Sequence, residues 1–90
     1  MDDVRPPKHK SERAILEALE ALGGDADRAS ITRKAAESDL FTAAECRTPA
    51  PPSKGQYPTY LSYALSWALT ALKNQGLVEN YSRGRWRLSG

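Results

Sequence analysis

Cysteine, histidine, methionine and phenylalanine occur once each in these 90 residues. A lone cysteine, Cys46, closes no disulfide within the chain and cannot supply a multi-cysteine zinc site. It reads as a small core residue, and a Cys–His catalytic pair finds no support because His9 stands apart near the N-terminus. No apolar run approaches the ~18 residues that a bilayer span requires. The opening MDDVRPPKHK has no apolar segment behind its charges, so it does not read as a secretory signal. The Gly23-Gly24 pair lacks both a preceding strand and the remaining residues of a phosphate loop, which leaves a helix cap as its reading. With no paired acid and base and no metal cluster, the expectation is a cytoplasmic protein that is not an enzyme and carries no cofactor or metal.

What is present is a lopsided charge. Residues 1–53 hold eight basic and ten acidic residues, net −2, whereas residues 54–90 hold five basic residues against Glu79 alone, net +4. Such asymmetry points the C-terminal half toward a polyanion, with a solvated basic face as the plainer alternative.

Residues 1–10 are polar and aperiodic and read as a flexible basic tail, leaving 11–90 as one folded domain. Ser11 stands where an N-cap belongs, and Ile15, Leu16, Leu19 and Leu22 follow at helical spacing up to Gly23-Gly24. A second helix is expected behind Ser30, with Ile31, Ala35 and Leu40 toward the core. TAAE at 42–45 matches a capping box and opens a short helix, which the proline-rich TPAPPSKG at 48–55 ends. The longest periodic segment spans about 57–75. It places Leu61, Ala64, Leu65, Ala68, Leu69 and Leu72 on one stripe and Thr59, Tyr60, Tyr63, Ser66, Trp67, Thr70 and Asn74 on the opposite arc. Gly76 stops it, and LVENY, a turn through Ser82-Arg83-Gly84 and RWRLS form a hairpin with Trp86 and Leu88 inward. The inward register of the first strand is open, because Leu77 and Val78 are both apolar. A short strand near Arg28-Ala29 would add a third. The expected class is therefore α+β and mainly helical: a winged helix-turn-helix whose C-terminal β wing has two or three strands.

The stretches ILEALEALGGDADRASITRKAAE, YLSYALSWALTALKNQGLVEN and SRGRWRLS together resemble the N-terminal winged-helix domain of Mrr-type restriction system proteins, over roughly residues 12–89. The most telling pieces are WALTALKNQGLVE and RGRWRLS. The resemblance implies double-stranded DNA binding by a module that precedes a nuclease domain, for which this chain has no room. Before the long helix, where that family tends to carry charged, Arg- or Asn-containing residues, this chain has KGQYPTYLSY.

On this reading the long helix enters a major groove with Gln56, Tyr57, Thr59, Tyr60, Tyr63 and Ser66 toward base edges or phosphates. A competing reading has two of the three tyrosines covering the core edge or a dimer contact. Arg83 and Arg85 on the wing are expected at phosphates, with no acidic neighbour to oppose them, while Arg87 is expected in solvent. Lys54, Arg33 and Lys34 are further phosphate candidates. Trp67 and Trp86 both read as packing residues. Besides DNA, a homodimer and a fused nuclease domain stand as expected partners, and a protein-interaction module or a small dimeric transcriptional regulator as the alternative roles.

Overall fold

A computed structural model of the chain describes residues 7–50, 57 and 59–89. The elements run α1 (Lys8–Ala21), β1 (Asp25–Asp27), α2 (Arg28–Ala36), α3 (Ala43–Arg47), α4 (Tyr60–Asn74), β2 (Val78–Ser82) and β3 (Arg85–Leu88). The architecture is the mainly helical α+β one that the sequence implies, with three strands in the sheet.

α1 begins earlier than expected. Its N-cap is Pro7, and Ser11 lies buried inside the helix, its hydroxyl donating to the Pro7 carbonyl at 3.3 Å. The additional turn is anchored from a distance: the Lys10 ammonium reaches Glu45 at 3.1 Å. Gly23 and Gly24 then close the helix in a Schellman motif, with the Gly24 N–H on the Leu19 carbonyl at 2.7 Å and that of Gly23 on Glu20 at 3.1 Å. The same device ends α4, where the Leu77 and Gly76 N–H groups meet the Leu72 and Lys73 carbonyls, both at 3.0 Å. Both motifs need a left-handed residue, and Gly23 and Gly76 supply it at φ of 90° and 79°. Each cap turns the chain into the sheet.

Two other boundaries move. The third strand expected near Arg28-Ala29 is Asp25–Asp27, ending just before Arg28, and Asp27 rather than Ser30 caps α2. The Asp27 carboxylate accepts from the Ser30 N–H at 3.3 Å and from its hydroxyl at 2.6 Å, which holds the acid below its ordinary value. Strand pairing through Asp27 leaves the helix nowhere to start but the next residue. α3 keeps its expected capping box: Thr42 Oγ1 accepts from the Glu45 N–H at 3.1 Å, and Glu45 Oε1 from the Thr42 N–H at 2.7 Å.

α4 starts at Tyr60, with Thr59 as its cap, and buries Leu61, Leu65, Ala68, Leu69 and Leu72. These meet Ala14, Ile15, Ala18 and Leu19 of α1, Ile31 and Ala35 of α2, and Phe41 in one core. Each fully buried leucine or isoleucine contributes about 1.5–3 kcal/mol. The sheet order is β1-β3-β2, antiparallel throughout. Trp86 faces inward opposite Ala26, whose small side chain leaves room for the indole. Val78 is buried and Leu77 exposed, which settles the register of the first wing strand. Between Glu79 and Ser82 the register shifts by one residue, so Asn80 and Tyr81 lie across from Trp86 alone as a β-bulge.

Candidate nucleic-acid interface

The solvent side of α4 divides into two flanks. Toward the start of α2, the Arg28 guanidinium donates to Ser66 Oγ, and the Tyr57 hydroxyl meets the same oxygen at 3.3 Å. Ser66 is consequently buried, contrary to its expected place on the open arc, because the beginning of α2 leans over that side of the helix. Ser62, Thr32 and Ala29 complete this flank as an open groove whose walls are largely apolar and whose polar side chains are hydroxyls and one guanidinium.

Toward the start of α1, rings meet edge to face. Tyr63 has centroid separations of 5.5 Å from Tyr57, 5.5 Å from Tyr60 and 6.5 Å from Trp67. Trp67 does not pack inward as expected. It is 59% exposed, beside a groove of about 280 Å³ that Lys8, Ser11, Tyr60, Ala64 and Ala71 also line. Tyr63 is the ring that meets the indole among the described residues, and the helix neighbours Ala64, Ala68 and Ala71 are small.

The wing differs from the expected bare cationic ribbon. Arg85 donates to Asp25 at 3.0 Å and to the Tyr81 hydroxyl at 3.4 Å. Tyr81 in turn donates to the same carboxylate at 2.6 Å. Arg87, expected in solvent, donates to Glu79 at 2.8 Å and lies 4.6 Å from the centre of the Tyr81 ring. Tyr81 and Asp25 hold the Arg85 guanidinium above its ordinary value, and Glu79 does the same for Arg87. The acid that opposes Arg85 comes from β1, sixty residues upstream, which no local reading of the hairpin reveals. Among the described residues, no carboxylate lies within ion-pair distance of Arg83 or Arg28.

Of the remaining sequence candidates, Thr59 is occupied as the cap of α4, accepting from the Ser62 N–H at 3.1 Å. Tyr57, Tyr60 and Tyr63 are half-buried within the ring cluster. Lys54 and Gln56 lie outside the described residues. The residue that sequence reasoning passed over is Arg28. Its position just behind a strand and at the first turn of α2 becomes informative only once β1 is paired. The Arg28 N–H donates to the Gly84 carbonyl at 3.0 Å, and this bond ties the wing turn to α2. The described residues contain no cluster of His, Cys, Asp and Glu fit for a metal, and no helix long and apolar enough to cross a membrane.

A helical core whose last long helix passes through a Schellman turn into a three-stranded sheet is a winged helix. The family model for the Mrr N-terminal domain matches residues 9–90, and the chain belongs to that family. It is thus a module related to restriction systems, and the matched domain is an N-terminal one rather than a nuclease domain. No curated protein and no solved structure matches the chain.

Proposed function

We propose that this domain binds double-stranded DNA and serves as the DNA-reading, non-enzymatic part of a restriction system, with α4 in the major groove and the wing turn on the backbone. The observation that carries the reading is the place of Arg28, which has no carboxylate within ion-pair distance among the described residues, between the wing turn and α4. Arg28 joins the wing turn through its N–H to Gly84 and joins α4 through its guanidinium to Ser66. Arg28, Ser62 and Tyr57 line one groove, the turn that carries Arg83 is bonded to Arg28 through Gly84, and family membership supports the same reading. Affinity then comes mostly from cations displacing counterions at phosphates. With about four phosphates contacted, log K falls against log salt with a slope of roughly −3 to −4. Arg83→Ala is expected to weaken binding to every duplex alike and to flatten that slope by about one. Electrophoretic shift measurements across a salt series check this, and equal slopes for the two proteins would remove the wing from the mechanism.

The exposed Trp67 favours a second reading alongside the first: the aromatic flank of α4 holds a second copy of the chain. A protruding indole directly beside an apolar groove on the same face is self-complementary under a two-fold axis, each copy filling the groove of the other.

A further inference from the structure

The groove between α2 and the first half of α4 has a chemistry that neither the family match nor the sequence assigns. It is open, about 450 Å³ in volume, and lined by Arg28, Ala29, Thr32, Tyr57, Ser62 and Ser66. Every polar side chain in that lining can donate a hydrogen bond, one of them is a permanent cation, and none is an acid. Three other arginines are matched to carboxylates: Arg13 to Glu17, Arg85 to Asp25 and Arg87 to Glu79. Arg28 is instead held by a neutral, buried hydroxyl. Asp27, its neighbour in the chain, engages Ser30. A hydroxyl orients a guanidinium without cancelling its charge, so the fork stays directed and the charge stays available. The Tyr57 hydroxyl, at 3.3 Å from Ser66 Oγ, lies on the same side.

We infer that this groove is a phosphate site in which the Arg28 guanidinium, with the Tyr57 and Ser62 hydroxyls beside it, grips a backbone phosphodiester of the duplex. The inference rests on the DNA-binding reading above and adds to it a specific clamp between the wing turn and α4. Ser66 is a positioning residue: it points the guanidinium into the groove and does not itself reach the ligand. A guanidinium so held keeps N–H donors free for an oxyanion in bidentate geometry.

The test has two arms. In the first, duplex lacking terminal phosphates is bound to wild type, Arg28→Lys and Arg28→Gln, each checked for folding by circular dichroism. Arg28→Gln is expected to lose roughly tenfold in affinity at low salt, the scale of one charge-assisted hydrogen bond, and to flatten the salt slope by about one. Arg28→Lys, which keeps the charge but not the fork, is expected to keep the slope and lose part of the affinity. In the second arm, inorganic phosphate is titrated into the wild-type protein while arginine side-chain N–H resonances are followed by NMR. The Arg28 signal is expected to shift and saturate, and that of the exposed Arg13, paired with Glu17, to stay put. Unchanged affinity and slope in folded Arg28→Gln, with wild type binding DNA, overturn the inference and leave the DNA reading intact. If wild type binds no duplex, the DNA reading falls. The groove then stands as a phosphate site when Arg28 shifts and Arg13 does not, and falls when Arg28 and Arg13 respond alike or not at all.

Discussion

Asp25 shows how much a single distant residue changes the chemistry of the wing. It lies directly across from Arg87 in the ladder, and its carboxylate takes hydrogen bonds from Arg85 and from Tyr81. For Arg85 to grip a phosphate, that exposed pair must first open, whereas Arg83 has nothing to release. Asp25→Asn removes the competing charge and leaves a side chain of the same shape. It is expected to tighten duplex binding and to steepen the salt slope by up to about one, as Arg85 becomes available. Salt-dependent shift measurements on this variant beside wild type check the point, and weaker binding would mean that the outer face of the sheet lies away from DNA. Exposed pairs of this kind stabilise a fold by only about 0–1 kcal/mol, so the effect on binding is expected without a large loss of stability.

Among the elements, α3 is the one whose placement depends most on electrostatics. It has five residues, too few to persist alone. Glu45 holds it twice, through the capping box with Thr42 and through Lys10 on α1. The Thr42 N–H, with Lys10 behind it, keeps the Glu45 carboxyl below its ordinary value of 4.5. A carboxyl with a lowered folded value adds stability that is fully present above 4.5 and is lost as pH falls from there through the folded value. The expected outcome is that wild type loses stability on acidification below about pH 4.5, the ordinary glutamate value. Glu45→Gln starts less stable at neutral pH and loses less over that window. Urea unfolding at a series of pH values measures both, and parallel pH profiles would show that Glu45 does not contribute as its contacts imply. The same ion pair explains why α1 starts at Lys8: a turn that reads as tail in the sequence is drawn into the helix by a partner 35 residues away.

For the whole molecule, the solvent side of α4 divides into a hydroxyl flank and an aromatic flank of different chemistry. The aromatic flank is apolar, with Trp67 at its centre. If a second copy covers it, sedimentation of the wild-type protein is expected to show a dimer that dissociates on dilution. Trp67→Ala should stay monomeric at the same concentrations while its thermal midpoint, measured on the monomer, hardly moves, since an exposed side chain contributes little to the core. A wild-type monomer at all concentrations would leave the indole without this role. The flanks share Tyr57, whose hydroxyl meets Ser66 and whose ring meets Tyr63, while Arg28 lines only the hydroxyl groove and Trp67 only the aromatic one.

Much of this organisation was legible in the chain itself. The leucine stripe of α4, the Thr42 capping box, the glycine stops and the inward Trp86 follow from local rules of helix period, caps and pleat, because each involves residues a few positions apart. The family resemblance, too, is carried by stretches read directly from the residues. What the tertiary structure decided is which side chains meet across long sequence separations. Ser66 and Trp67 are neighbours with nearly the same exposure by periodicity, yet one is covered and the other bare. The difference is that the start of α2 covers Ser66, whereas Trp67 meets only the edge-to-face ring of Tyr63 among the aromatic residues described. Likewise three wing arginines look alike in RGRWR, yet the hairpin register sets Arg87 against Glu79, the pairing of β1 brings Asp25 to Arg85, and Arg83 has no acid within ion-pair distance among the described residues. Burial and charge pairing are properties of contacts distant in sequence, and those exist only once the chain has folded.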